Sequence, residues 1–119
     1  MNYYKRAVLE EFQSKLKPNK VLILLGARRV GKTQLIKKYL ESTNENVLQL
    51  NGEDLNDARL LEERSVSNYT KLLQNVSILV IDEAQNIKDI GVILKLIVDT
   101  IDNIKVIATG SSMFDLANK

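Results

Sequence analysis

The chain has 119 residues, enough for one domain and too few for two. Its hydrophobic content of 45% and charged content of 27% are those of an ordinary globular domain, and a net charge of +2 from 17 basic and 15 acidic residues is too even to mark a nucleic-acid surface by itself. Cysteine and histidine are both absent, which excludes disulfides, thiolate or imidazole metal sites, cysteine nucleophiles, histidine bases and a Ser-His-Asp triad. Any chemistry must come from carboxylates, lysine, hydroxyls, backbone amides and an added ion.

In chain order, Met1 to Lys20 carries charges throughout and lacks the apolar core of a signal peptide. Within it Val8, Leu9, Phe12 and Leu16 recur at spacings of three and four, so the segment reads as an N-terminal helix and lead-in, closed by Pro18. Val21–Leu25 is an unbroken apolar run of the kind that suits a strand covered on both faces. Leu35, Ile36, Tyr39 and Leu40 then form a helical face that fades into the polar "ESTNEN".

"VLQL" at 47–50 is a second strand, stopped by Asn51-Gly52. Between Glu53 and Asn75, the residues Leu55, Leu60, Leu61, Val66, Tyr69, Leu72 and Leu73 suggest one or two short helices. Ile78–Ile81 is a third buried strand, and Ile90, Ile93, Leu94, Ile97, Val98 and Ile101 make a helical stripe. Lys105–Gly110 is a fourth strand, and "SSMFDLA" begins a further helical stretch. A helix followed by alternating strands and helices predicts an α/β layer fold with a parallel sheet. The longest apolar runs are far too short to span a bilayer, so a cytoplasmic protein without membrane contact is expected.

"GARRVGKT", Gly26–Thr33, fits G-x-x-x-x-G-K-[ST] between a strand and a helix. Such a loop turns its backbone N–H groups inward around a polyphosphate. Gly26 and Gly31 permit positive φ and close approach, and the helix start adds free N–H groups and the positive end of its dipole. Lys32 reaches the outer phosphates, and Thr33 supplies a hydroxyl for Mg²⁺. The residues expected to line the nucleotide here are Gly26, Ala27, Arg28, Arg29, Val30, Gly31, Lys32, Thr33 and Gln34. Arg28 and Arg29 occupy variable positions, where contact with phosphate, contact with a neighbouring subunit and plain solvation are all open.

"ILVIDEAQ", Ile78–Gln85, is a buried strand ending in two acids, at the end of a parallel strand where α/β sheets bind ligands. Asp82 is expected to hold Mg²⁺, leaving Glu83 to orient and deprotonate a water that attacks the terminal phosphate. A GTPase would show D-x-x-G here and a guanine-reading N-K-x-D, and neither is present. In "VIATGSS", Thr109, Ser111 or Ser112 could contact the γ-phosphate or the attacking water, while Ser112 followed by Asp115 equally fits a helix N-cap.

Together these residues make the chain resemble P-loop ATPases of the AAA+ superfamily. More narrowly it resembles bacterial and archaeal AAA+-like ATPase domains that read G-x-R-[RQ]-V-G-K-T, then hhhhDEAQ, then hhTGSS. Those domains usually continue into a C-terminal domain, often nuclease-like. The resemblance runs from Val21 to about Leu116, with Ala27 where many relatives have proline.

It implies a three-layer α/β/α P-loop NTPase sandwich with a mainly parallel sheet, in which the strand bearing Thr109 is inserted between those bearing Gly26 and Asp82. It implies ATP and Mg²⁺ as cofactors, Lys32 and Glu83 as catalytic residues, Thr33 and Asp82 as metal ligands, and Thr109 and Ser111 at the nucleotide. Relatives carry a fifth strand and a sensing arginine; residues 1–119 supply four strands and neither of these. On this likeness the chain is the N-terminal part of a longer protein, with low ATP turnover by itself.

The family order also makes Val21–Leu25 an edge that is apolar throughout, so self-association along it is expected. Two other functions remain in view: a nucleotide-dependent switch with little hydrolysis, and an ATP-coupled machine on DNA. The even charge and few aromatics give the latter no support. Tyr3 or Tyr4 could stack on adenine, though a core or surface role suits them better.

Overall fold

Four apolar runs pair into one parallel sheet: β1 (Lys20–Leu25), β2 (Val47–Asn51), β3 (Ile78–Asp82) and β4 (Lys105–Gly110), in the order β1-β4-β3-β2. The computed structural model describes residues 13–25 and 31–110, with the side chains of residues 25 and 31–35 outside the description. The strand bearing Thr109 therefore lies between the strand that leads to Gly26 and the one that ends in Asp82, as the resemblance implied.

The helices are α1 (Gly31–Ser42), α2 (Leu55–Glu62), α3 (Val66–Leu72) and α4 (Ile90–Thr100), with a 3₁₀ turn at Ala84–Asn86. Residues 13–15 are also helical. Local chemistry explains the starts of α2 and α3. Asp54 caps α2 by accepting from the N–H groups of Asn56 and Asp57, and Ser65 caps α3 by accepting from Asn68 N–H. The short link between them is closed by the Asn68 amide, which donates to the carbonyls of Leu60 and Glu63 at 2.8 Å each.

Each central strand is buried on both faces, which is why it is apolar without alternation. In β3, Leu79 and Ile81 join one core while Ile78 and Val80 join the other. In β4, Val106 and Ala108 face the first core and Ile107 the second. The first core packs the sheet against α2, α3 and α4 through Leu61, Tyr69, Ile93 and Ile97. The second packs it against α1 and the segment before β1 through Ile36, Tyr39 and Leu16. The result is the expected three-layer α/β/α sandwich. From β1 to β2 the chain crosses the sheet under α1, then returns to β3 and β4 over the opposite face; a change of direction with a change of face is what a single crossover hand requires.

β1 lies at an edge of the described sheet, as the family order implied, and Val21 to Leu24 are half-buried there. One difference from the sequence reading follows from helix length. Across Glu53–Asn75 the apolar pattern overstates the core: Leu55, Leu60 and Val66 are exposed, whereas Ala58 is buried. Helices this short have too few turns for periodicity to pick out one face. No helix among the described residues is long and apolar enough to cross a membrane.

Candidate functional site

Because all four strands are parallel, their carboxyl ends emerge on one side of the molecule. Register then sets the neighbours. Leu24 pairs with Thr109 and Leu25 with Gly110, so the chain leaves β1 beside the end of β4. Asn51 pairs with Asp82, so the turn after β2 meets the acids that end β3. α1 begins at Gly31 on the same side, and its first turn, Gly31-Lys32-Thr33-Gln34, contains no acid to oppose a bound anion.

At the end of β3, Asp82 and Glu83 are both half-buried. Thr109, only 2% exposed, joins them: its hydroxyl donates to Asp82 Oδ1 at 3.0 Å and accepts from the Glu83 N–H at 3.2 Å. One oxygen of Asp82 is thus held by a neutral donor.

Glu83 is left-handed, with φ 51° and ψ 47°. Glutamate gains no local hydrogen bond from that conformation as asparagine does, so its surroundings must hold it. Three contacts do so. Thr109 takes its N–H, its carbonyl accepts from Asn86 N–H at 3.1 Å, and Gly52 abuts that carbonyl from β2. The Gly52 N–H donates to the Asp82 carbonyl at 2.7 Å, and a Cβ on Gly52 would overlap the Glu83 carbonyl oxygen. The Glu83 carboxylate in turn accepts from Gln85 Nε2 at 2.9 Å.

The donor set suits Mg²⁺, a hard cation that takes few protein carboxylates. Asp82 offers a carboxylate oriented by Thr109 at the strand end, and Glu83 stands next to it.

Of the residues singled out from sequence, the structure brings together Asp82, Glu83 and Thr109. Thr109, expected at the nucleotide, directs its hydroxyl to the Asp82 carboxylate and the Glu83 N–H. Lys32, Thr33 and Gln34 lie in the first turn of α1, with their side chains outside the description. Gly26, Ala27, Arg28, Arg29, Val30, Ser111, Ser112, Tyr3 and Tyr4 lie outside the described residues.

Two residues were missed. Gly52 read only as a strand stop, because its contact with Glu83 depends on the β2–β3 register. Gln85 read only as the end of a motif, although its place two residues after Glu83 was a signal.

Residues 18–119 match the family described as AAA domain. The chain belongs to this family of AAA-type P-loop ATPases. It is also similar to the replication factor C large subunit of Methanosarcina acetivorans, at 30% identity over 84 residues. That match covers 69% of this chain and 14% of the relative, so the chain spans a small part of the relative's length.

Proposed function

We propose that this AAA domain binds ATP with Mg²⁺ on the 26–33 loop and hydrolyses the β–γ phosphoanhydride bond. The observation that carries the reading is the pair of acids ending β3, joined through one buried hydroxyl, on the side of the sheet where α1 begins. Backbone amides of the loop, the α1 N-terminus and Lys32 hold the phosphates. Thr33 and Asp82 would hold Mg²⁺, which when bound neutralises charge developing on the phosphate oxygens. Glu83, with its backbone fixed by Thr109 and Gly52, orients the attacking water and takes its proton. Turnover by this chain alone is low, because an arginine supplied from outside can add about 10³–10⁵ in rate.

Calorimetry with Mg-ATP tests the binding. The native chain gives saturable heat and Lys32→Ala gives none. Glu83→Gln retains binding and loses hydrolysis by about 10²–10⁴-fold; unchanged hydrolysis overturns the base assignment.

The relative named as a replication factor subunit favours a second reading, in which this domain couples ATP to work on DNA. Its test is a salt-dependent affinity for duplex DNA measured with and without Mg-ATP. Strong nucleotide-dependent association with slow hydrolysis would instead favour a switch.

A further inference from the structure

We infer that Gln85 is a positioning residue for hydrolysis: its amide N–H holds the Glu83 carboxylate in the orientation that meets the attacking water. This rests on the ATPase reading above and adds a residue to it.

A glutamate side chain has three rotatable bonds, and a fixed backbone does not by itself fix its carboxylate. Gln85 supplies such a constraint through the 2.9 Å bond from Nε2 to Glu83 Oε1. Its own backbone is well anchored in the 84–86 turn. Ala84 is fully buried in the first core, Asn86 N–H donates to the Glu83 carbonyl and Ile87 N–H donates to the Ala84 carbonyl at 3.0 Å.

The other end of the amide decides between packing and function. Gln85 Oε1 is buried and has no hydrogen-bond partner among the described residues. Turning the amide over would place that oxygen against the Glu83 carboxylate, so the contact sets its orientation. A buried acceptor without a partner is unfavourable. An apolar side chain of the same length would fill the space without that cost. What the amide alone supplies is the N–H on Glu83.

The two roles therefore predict opposite results for Gln85→Met, which conserves length and removes both polar atoms. As a positioning residue, its loss leaves Mg-ATP affinity by calorimetry within about twofold and Tm equal or higher. It lowers single-turnover kcat by about 10- to 100-fold, the scale of a misplaced catalytic group. Gln85→Glu, which puts a second carboxylate in place of the donor, lowers kcat at least as far.

Gln85→Met with native kcat, or with a fallen Tm and a raised KM at native kcat, overturns the inference while the ATPase reading stands. A native chain that binds no Mg-ATP, or binds it without turnover, overturns that reading and this inference with it.

Discussion

The two ends of the sheet use the same backbone conformation for different purposes. At the amino ends of the strands, Asn19, Asn75 and Asn103 are left-handed, with φ between 60° and 65°. Each turns the chain just before β1, β3 or β4. Asparagine tolerates this region because its short amide bonds locally. Asn19 is also tied across the fold: its Nδ2 donates to the carbonyls of Val98 and Ile101 at the end of α4, and its Oδ1 accepts from Asn103 N–H. At the carboxyl ends the left-handed residue after β3 is Glu83, held by a buried threonine and a glycine with no room for a side chain. Left-handed asparagine is turn chemistry. Left-handed glutamate, held by residues from β4 and from the turns after β2 and β3, marks the candidate site.

That contrast can be attacked from both ends. Gly52→Val should have the largest effect, about 3 kcal/mol of stability from overlap with the Glu83 carbonyl, seen in urea unfolding together with lost hydrolysis. Thr109→Val leaves Asp82 Oδ1 and the Glu83 N–H without their shared partner. It should cost about 2 kcal/mol and raise the Mg²⁺ concentration needed for half-maximal hydrolysis, whereas Thr109→Ser restores the native Mg²⁺ requirement. Asn19→Ala removes three exposed hydrogen bonds at the opposite end. It should cost about 1 kcal/mol and leave Mg-ATP affinity unchanged; a change in affinity would show that the two ends are coupled.

A further effect appears only in alkali. Burial pushes the Tyr69 phenol from 10.0 up to about 12, with Arg64 pulling it down and Glu63 pushing it up. Its hydroxyl donates to the Leu61 carbonyl at 2.6 Å. Below pH 10 the phenol is neutral in folded and unfolded chains alike. From about pH 10 to about 12 only the unfolded chain ionises, so stability declines across that window. Tyr69→Phe should abolish this decline, as read by urea midpoints at each pH.

Much of the fold was legible in the residues. The central strands were visible because two-sided burial requires unbroken apolar runs, as in Ile78–Ile81. The α4 stripe was visible because eleven residues give periodicity room to show: Ile90, Ile93, Leu94 and Ile97 are all buried. α2 and α3 are shorter, with eight and seven residues, and there Leu55 and Val66 misled. Of the site, Asp82 and Glu83 were legible because a strand ending in acids is a local pattern. Gly52 and the direction of the Thr109 hydroxyl were not, since both depend on which strands lie side by side.

Local chemistry, written in consecutive residues, was enough to establish the strands, the α4 helix, the acids and the family likeness of this chain. Pairing across the sheet decided the rest: that β4 separates β1 from β3, that Thr109 reaches Asp82 and the Glu83 N–H, and that Gly52 abuts Glu83. The physical reason is range. Hydrophobic patterning and motif spacing act over a few residues, whereas a hydrogen bond from residue 109 to residue 82 exists only once β3 and β4 have docked in register.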